Sequence, residues 1–191
     1  LMTALILGYP PPLTAVQILW INLVTEGTVT VTLIMEPAEG DEMKSKPISP
    51  DEPLLTGLLL TRMAFMTPAI AASTFGWMVY RLSVGVPLPQ VRTETFTVLA
   101  VCQWFNVLNC RSAHRSALSL SILKNPWLIG GLIVSNLLQA AVVFVPPLGR
   151  VFHTVPFSLK EVLAIGAVAS LVLWVEELRK LFVRRRDRRV A

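Results

Sequence analysis

The chain has 191 residues, of which 53% are apolar and 15% charged, with a mean hydropathy of +0.62 and a formal net charge of +5. A water-soluble domain carries about 25% charged residues, so the composition excludes an ordinary soluble enzyme and points to a membrane. Cys102 and Cys110 lie about 12 Å apart along a helix, too far for a local disulfide, and read as small apolar fillers.

Residues 1–8, LMTALILG, read as the last turns of a span that begins upstream. The chain opens on Leu without the basic segment of a signal peptide, so we expect a portion of a longer protein. Pro10, Pro11 and Pro12 stop that helix and set a stiff reversal into the next. Further apolar blocks occupy 13–35, 54–80, 95–110, 127–147 and 159–178, most of them near the roughly 20 residues that cross a bilayer. The block 95–110 is short unless polar flanking residues are drawn in. The expected fold is therefore all-α: a transmembrane helical bundle of five spans plus the end of a sixth.

The first block carries the strongest chemical signal. Glu26 sits about halfway along it, and a lone carboxylate at mid-bilayer costs roughly 3 kcal/mol or more. At about 100° per residue, Asn22 lies roughly 40° from Glu26, with Thr25 about 60° to the far side of Asn22. Such an oxygen-rich face suits a cation or a proton held inside the membrane. One helix supplies too few oxygens unless it unwinds locally, and Gly27 before the β-branched run 28–32 is the expected weak point. The plainer reading is an interhelical hydrogen bond among Asn22, Thr25 and a neighbour; Glu26 favours the functional one.

The loop 36–53, rich in prolines and mixed charges, is the most polar stretch. In the second span, Pro68 suggests a kink and Gly76 a close helix contact. Gln103, Asn106 and Asn109 form a second polar stripe at i, i+3, i+6, which reads either as cation oxygens or as glue between helices. Gly130, Gly131, Ser135, Asn136 and Gln139 read as a packing face. Trp20, Trp77, Trp127 and Trp174 fall near the expected membrane interfaces. With five spans, 36–53, 111–126 and the C-terminus share one side. That side holds 13 of the Lys/Arg against 4 on the other, which makes it cytoplasmic. The tail 184–189, RRRDRR, follows a span directly and reads as a lipid-touching anchor rather than a nucleic-acid site. His114 and His153 fall in loops on opposite sides, no phosphate-binding glycine loop occurs, and we expect no catalytic residue in this chain.

Several segments carry a family resemblance. PPLTAVQILWINLVTEG, residues 11–27, resembles the sixth transmembrane helix of type II P-type ATPases, above all the calcium-pump branch. EPAEGDEMKSKPISPDEPLLTG (36–57) is similar to that family's loop between helices six and seven. VLAVCQWFNVLNCRS (98–112) resembles helix eight, NPWL (125–128) the start of helix nine, and 152–163 with 174–181 the two ends of helix ten. The resemblance implies residues 1–8 as the end of helix five and 9–191 as the C-terminal membrane domain of a cation pump. It implies Asn22, Thr25 and Glu26 as ligands of the transported ion, with Glu26 standing where Asp is usual. Gln103 falls where two-ion calcium pumps carry Glu, which implies a single bound ion. Calcium leads as that ion, with manganese, sodium or another cation as alternatives. None of Asp41, Asp51 and Asp187 is followed by the family's DKTGT context, so the phosphorylated Asp and the Mg-ATP site belong upstream. The implied partners are the rest of the pump and membrane lipid, and the compact tail suits a bacterial plasma membrane. The alternative from another class is a non-ATPase membrane transporter fragment or a helical membrane anchor.

Overall fold

The computed structural model describes residues 2–36, 56–111, 117 and 125–190, the side chains of Glu26, Leu58 and 184–190 excepted. Every regular element among them is helical. The short α1 (Met2–Ile6) ends as Gly8 takes a φ of 73°, the Tyr9 N–H reaching the Ala4 carbonyl at 2.8 Å and the Gly8 N–H that of Leu5 at 3.1 Å. That left-handed stop suits glycine, and the three prolines then keep the chain from resuming the helix. The next helix runs as α2 (Ala15–Trp20), a five-residue π-helical turn (Ile21–Thr25) and α3 (Glu26–Leu33). Thr14 and Gln17 open it with reciprocal caps: the Gln17 N–H donates to Thr14 Oγ1, and the Thr14 N–H to Gln17 Oε1 at 3.0 Å.

Beyond it lie α4 (Gly57–Ser83), α5 (Leu88–Cys110), α6 (Pro126–Phe144), α7 (Pro146–Phe152), α8 (Leu159–Ala169) and α9 (Leu171–Val190). Cross-helix contacts set their directions. Arg62 near the start of α4 meets Cys110 at the end of α5, while Arg81 at the far end of α4 meets Glu94 near the start of α5. The two are therefore antiparallel. Gln90 contacts Glu161 and Asn109 contacts Val172, so α8 and α9 run parallel to α5. Asn125 at the start of α6 reaches Thr32 at the end of α3, another antiparallel pair.

The helix α5 is the hub, packed against α3, α4, α6, α8 and α9. Val98, Cys102, Met66, Trp77, Ile165, Ala169 and Val172 form one core around it, and Val29, Ala100, Trp104, Val107 and Leu128 a second. The expected short span 95–110 is thus 23 residues long, extended backwards through polar residues that other helices satisfy. Its neighbours are protein rather than lipid, so it needs little hydropathy. By contrast Ala15–Leu33 and Pro126–Phe144, with mean hydropathies of 1.3 and 1.9, are long and apolar enough to cross a membrane by themselves. Leu23, Val31, Ile133, Val134, Leu137, Leu163 and Trp174 point outward. So many exposed large apolar side chains fit acyl chains better than water.

Several local expectations are corrected. The irregular segment lies before Gly27, at Ile21–Thr25. A Cβ on Gly76 or Gly130 would meet nothing within 4 Å, so neither marks a close helix contact; Gly131 does. Asn136 turns its amide to the Leu132 carbonyl of its own helix at 2.8 Å rather than to a neighbour. Cys102 is a buried filler, but Cys110 is exposed and its sulfur accepts from Arg62 at 3.1 Å. Trp127 and Trp174 are exposed, whereas Trp77 is buried with its N–H on Glu94, and Trp20 donates to Gln139. The expected span 159–178 is broken at Ser170, where α8 hands over to α9. The loop acids Glu39, Asp41, Glu42, Asp51 and Glu52, and His114, lie outside the described residues.

Candidate cation site

The π-helical turn contains Asn22 and Thr25 and ends where Glu26 opens α3. A π turn widens the helix by one residue, interrupts its regular ladder and is frequently found at functional positions. Thr25 is turned inward, 2% exposed, while Asn22 is exposed on the bundle and lines a cavity of about 480 Å³. Its wall also includes α1 (Thr3, Ala4), α4 (Thr67, Thr74, Phe75) and Leu99 of α5. The cavity is largely apolar, so Asn22 and the threonine hydroxyls are its polar spots. The side chain of Glu26 lies outside the described portion, although its backbone follows Thr25 directly.

The second stripe divides. Asn109 is fully buried and its amide donates to the Val172 carbonyl at 3.2 Å, while its own carbonyl accepts from Lys180 at 3.3 Å. That residue ties α5 to α9. Gln103 and Asn106 are half-buried on the same helix, and Gln103 has an interaction of its own. Among the described residues no cluster of three or more His, Cys, Asp or Glu gathers as a metal site.

The helix carrying the turn is held on both sides of it. Above, the Gln17 amide donates to the Phe152 carbonyl at 3.1 Å, and the Trp20 indole N–H to Gln139 Oε1 at 3.2 Å. The Trp20 ring also meets Phe152 edge-on at 4.8 Å. Below, Glu36 accepts from Arg111 at 2.7–2.8 Å and from the Asn125 amide at 2.7 Å. Burial would raise the Glu36 carboxyl, but the hydrogen bonds from Arg111 and Asn125 and the Arg111 charge outweigh it and hold the group below its ordinary value.

Sequence reading missed a second buried polar cluster at the other end of the bundle. Glu94, fully buried, accepts a bidentate pair from Arg81 at 2.7 and 2.8 Å, the Trp77 N–H at 3.0 Å and the Gln90 amide at 2.9 Å. Arg81 also reaches Glu161 at 2.5 Å, and its guanidinium lies 5.8 Å from the Trp77 ring centre. This cluster joins α4, α5 and α8. The signal was Arg81 and Glu94 facing each other across the reversal at Gly85, which takes a φ of 80°.

Residues 10–182 match the family described as Cation transporting ATPase, C-terminus, and the chain belongs to that family. It is 33% identical over 172 residues to a probable cation-transporting ATPase F of Mycobacterium tuberculosis, an alignment covering 90% of this chain and 19% of that protein. It is 34% identical to calcium-transporting ATPase 1 of Schizosaccharomyces pombe, over 95% of this chain and 20% of the relative. Human calcium-transporting ATPase type 2C member 2 is 31% identical over 92% of this chain and 19% of its own length. The chain thus spans about a fifth of the relatives it matches. Membership makes it part of an integral membrane protein and supports the resemblance seen in residues 11–27.

Proposed function

We propose that this chain is the C-terminal membrane portion of an ATP-driven cation pump, with Asn22, Thr25 and Glu26 supplying ligands to the transported ion. The observation that carries this reading is the π turn at Ile21–Thr25, an irregular backbone at the level of the one carboxylate in the span. Irregular backbone inside a membrane is tolerated where it lines a protein-enclosed site. Glu26 neutralises part of the ion's charge and accepts protons when the ion has left. Gln103 and Asn106 contribute neutral oxygens from α5. Calcium is the leading ion, in line with the names of the relatives from Schizosaccharomyces pombe and human. The absence of a carboxylate at Gln103 favours one ion over two.

The chain crosses the membrane five times after α1, by Ala15–Leu33, α4, α5, α6 and α8–α9, with the basic C-terminus cytoplasmic. The alternating helix directions support this count, since Arg62, Arg111 and Arg179 gather at one end and Arg81 with Arg92 at the other. A bacterial plasma membrane is the proposed host. Mg-ATP binding and phosphorylation belong to the remainder of the pump, and the loop 36–53 helps couple that machinery to the ion helix.

In the full-length polypeptide, Glu26→Ala is expected to abolish calcium-dependent phosphorylation by ATP while phosphorylation by inorganic phosphate persists. Phosphoenzyme assays in both directions measure this. Normal calcium-dependent phosphorylation in that variant would overturn the reading.

A further inference from the structure

We infer that Gly131, together with Asn125 and Glu36, positions the ion-carrying helix, so that α6 sets the ion affinity without touching the ion. This rests on the cation-site reading above. Three contacts, two of them through Glu36, converge on the lower half of that helix.

The first is a close approach. A Cβ at Gly131 would lie 2.6 Å from Thr32 Cγ2 and 2.9 Å from the Thr28 carbonyl oxygen. Real Cβ atoms do not come this near, and one of the two obstacles is backbone. Thr28 stands two residues beyond Glu26, about 3 Å along the axis. Any side chain at 131 must therefore push α3 away from α6 within a turn of the carboxylate. The second contact is Asn125, 1% exposed, whose Oδ1 caps α6 by accepting the Leu128 N–H at 3.0 Å. Its amide meanwhile donates to Glu36 at 2.7 Å and, at 3.4 Å, to the Thr32 carbonyl near the end of α3. The third is Arg111, which brings the end of α5 onto the same Glu36.

The upper part of the helix is fixed separately, by Gln17 and Trp20. Between the two anchors lies the π turn. Its geometry thus follows from how far apart and at what angle the anchors hold α2 and α3. Ion ligands work within about 0.5 Å of their best arrangement, comparable to the shift a methyl at 131 would force. Partners that orient ligands typically change metal affinity roughly 10–100-fold when altered.

The test uses the full-length polypeptide and calcium. Gly131→Ala should raise the half-saturating calcium concentration for ATP phosphorylation by at least about tenfold, with phosphorylation by inorganic phosphate retained. Adding Thr32→Ser, which removes the methyl that collides at 2.6 Å, should recover part of the lost affinity. Glu36→Gln, which keeps the side chain's size and removes its charge, should shift calcium dependence in the same direction by less. Unchanged calcium dependence in Gly131→Ala and Glu36→Gln, beside a Glu26→Ala variant that has lost it, would sink the positioning role and leave the pump reading standing. Loss of both phosphorylation reactions in Gly131→Ala, with no recovery on adding Thr32→Ser, would equally overturn it in favour of a merely structural glycine. Failure of the pump reading itself shows up separately, in Glu26→Ala.

Discussion

Asparagines that look alike in the sequence have different work in the bundle. Asn22 lines a cavity, Asn109 joins two helices, Asn125 caps one helix while gripping another, and Asn136 bonds its own backbone. An amide has donors and an acceptor to place, and in a dry interior it takes the nearest partner; only an unspent one is left to meet an ion. Asn109→Ala should therefore lower the stability of the membrane domain by about 1 kcal/mol while calcium dependence of phosphorylation stays as in the wild type. Thermal unfolding in detergent and phosphoenzyme titration separate the two effects. Glu26 was legible as the outlier because a carboxylate in a greasy run is costly. Glu94 was not, since it stands on the polar edge of its run and its burial depends on Arg81, Gln90 and Trp77 arriving from elsewhere.

Among the helices, hydropathy reports the solvent rather than the depth of burial. The most apolar, α6, turns Ile133, Val134 and Leu137 outward, while the less apolar α5 is enclosed by five neighbouring elements. This is why the apolar block 95–110 undercounted α5 by seven residues at its start. The Arg81–Glu94 pair is the clearest consequence, with a fully buried carboxylate and a guanidinium side chain 15% exposed. Removing one partner of such a pair leaves an uncompensated charge and costs about 3–5 kcal/mol. Glu94→Ala should fall at the lower end, near 3 kcal/mol, because Glu161 still holds Arg81. Replacing both residues, as Arg81→Met with Glu94→Leu, should cost less than Glu94→Ala alone. Thermal unfolding of the two variants decides it, and an equal or greater loss in the double variant would contradict this account.

At the scale of the whole molecule, charged clusters fasten the bundle at both ends and leave the middle of Ala15–Leu33 irregular. The clamp at Glu36 predicts a pH dependence. Glu36 is held below its ordinary value of 4.5, so it binds fewer protons in the folded than in the unfolded state. Its stabilising contribution is then complete above about 4.5 and fades as pH falls through the lower folded value. The stability difference between wild type and Glu36→Gln should accordingly be present at neutral pH and shrink as the medium is acidified below that range. Melting curves across pH check it, and a difference that grows on acidification would reverse the sign we assign.

The residues in order were enough to determine an all-helical chain of membrane character and the proline reversal before α2, and to single out Asn22, Thr25 and Glu26 as candidate ligands. Each of these depends on composition or on the helical period, which act between residues a few positions apart. The hub role of α5, the three-helix junction at Glu94 and the clamp from Asn125 to Glu36 were decided by tertiary structure. Those pairs stand 71 to 89 residues apart where Gln90 meets Glu161 and Asn125 meets Glu36, and no local periodicity connects them. Buried polar groups must find partners, but which partners depends on how whole helices pack.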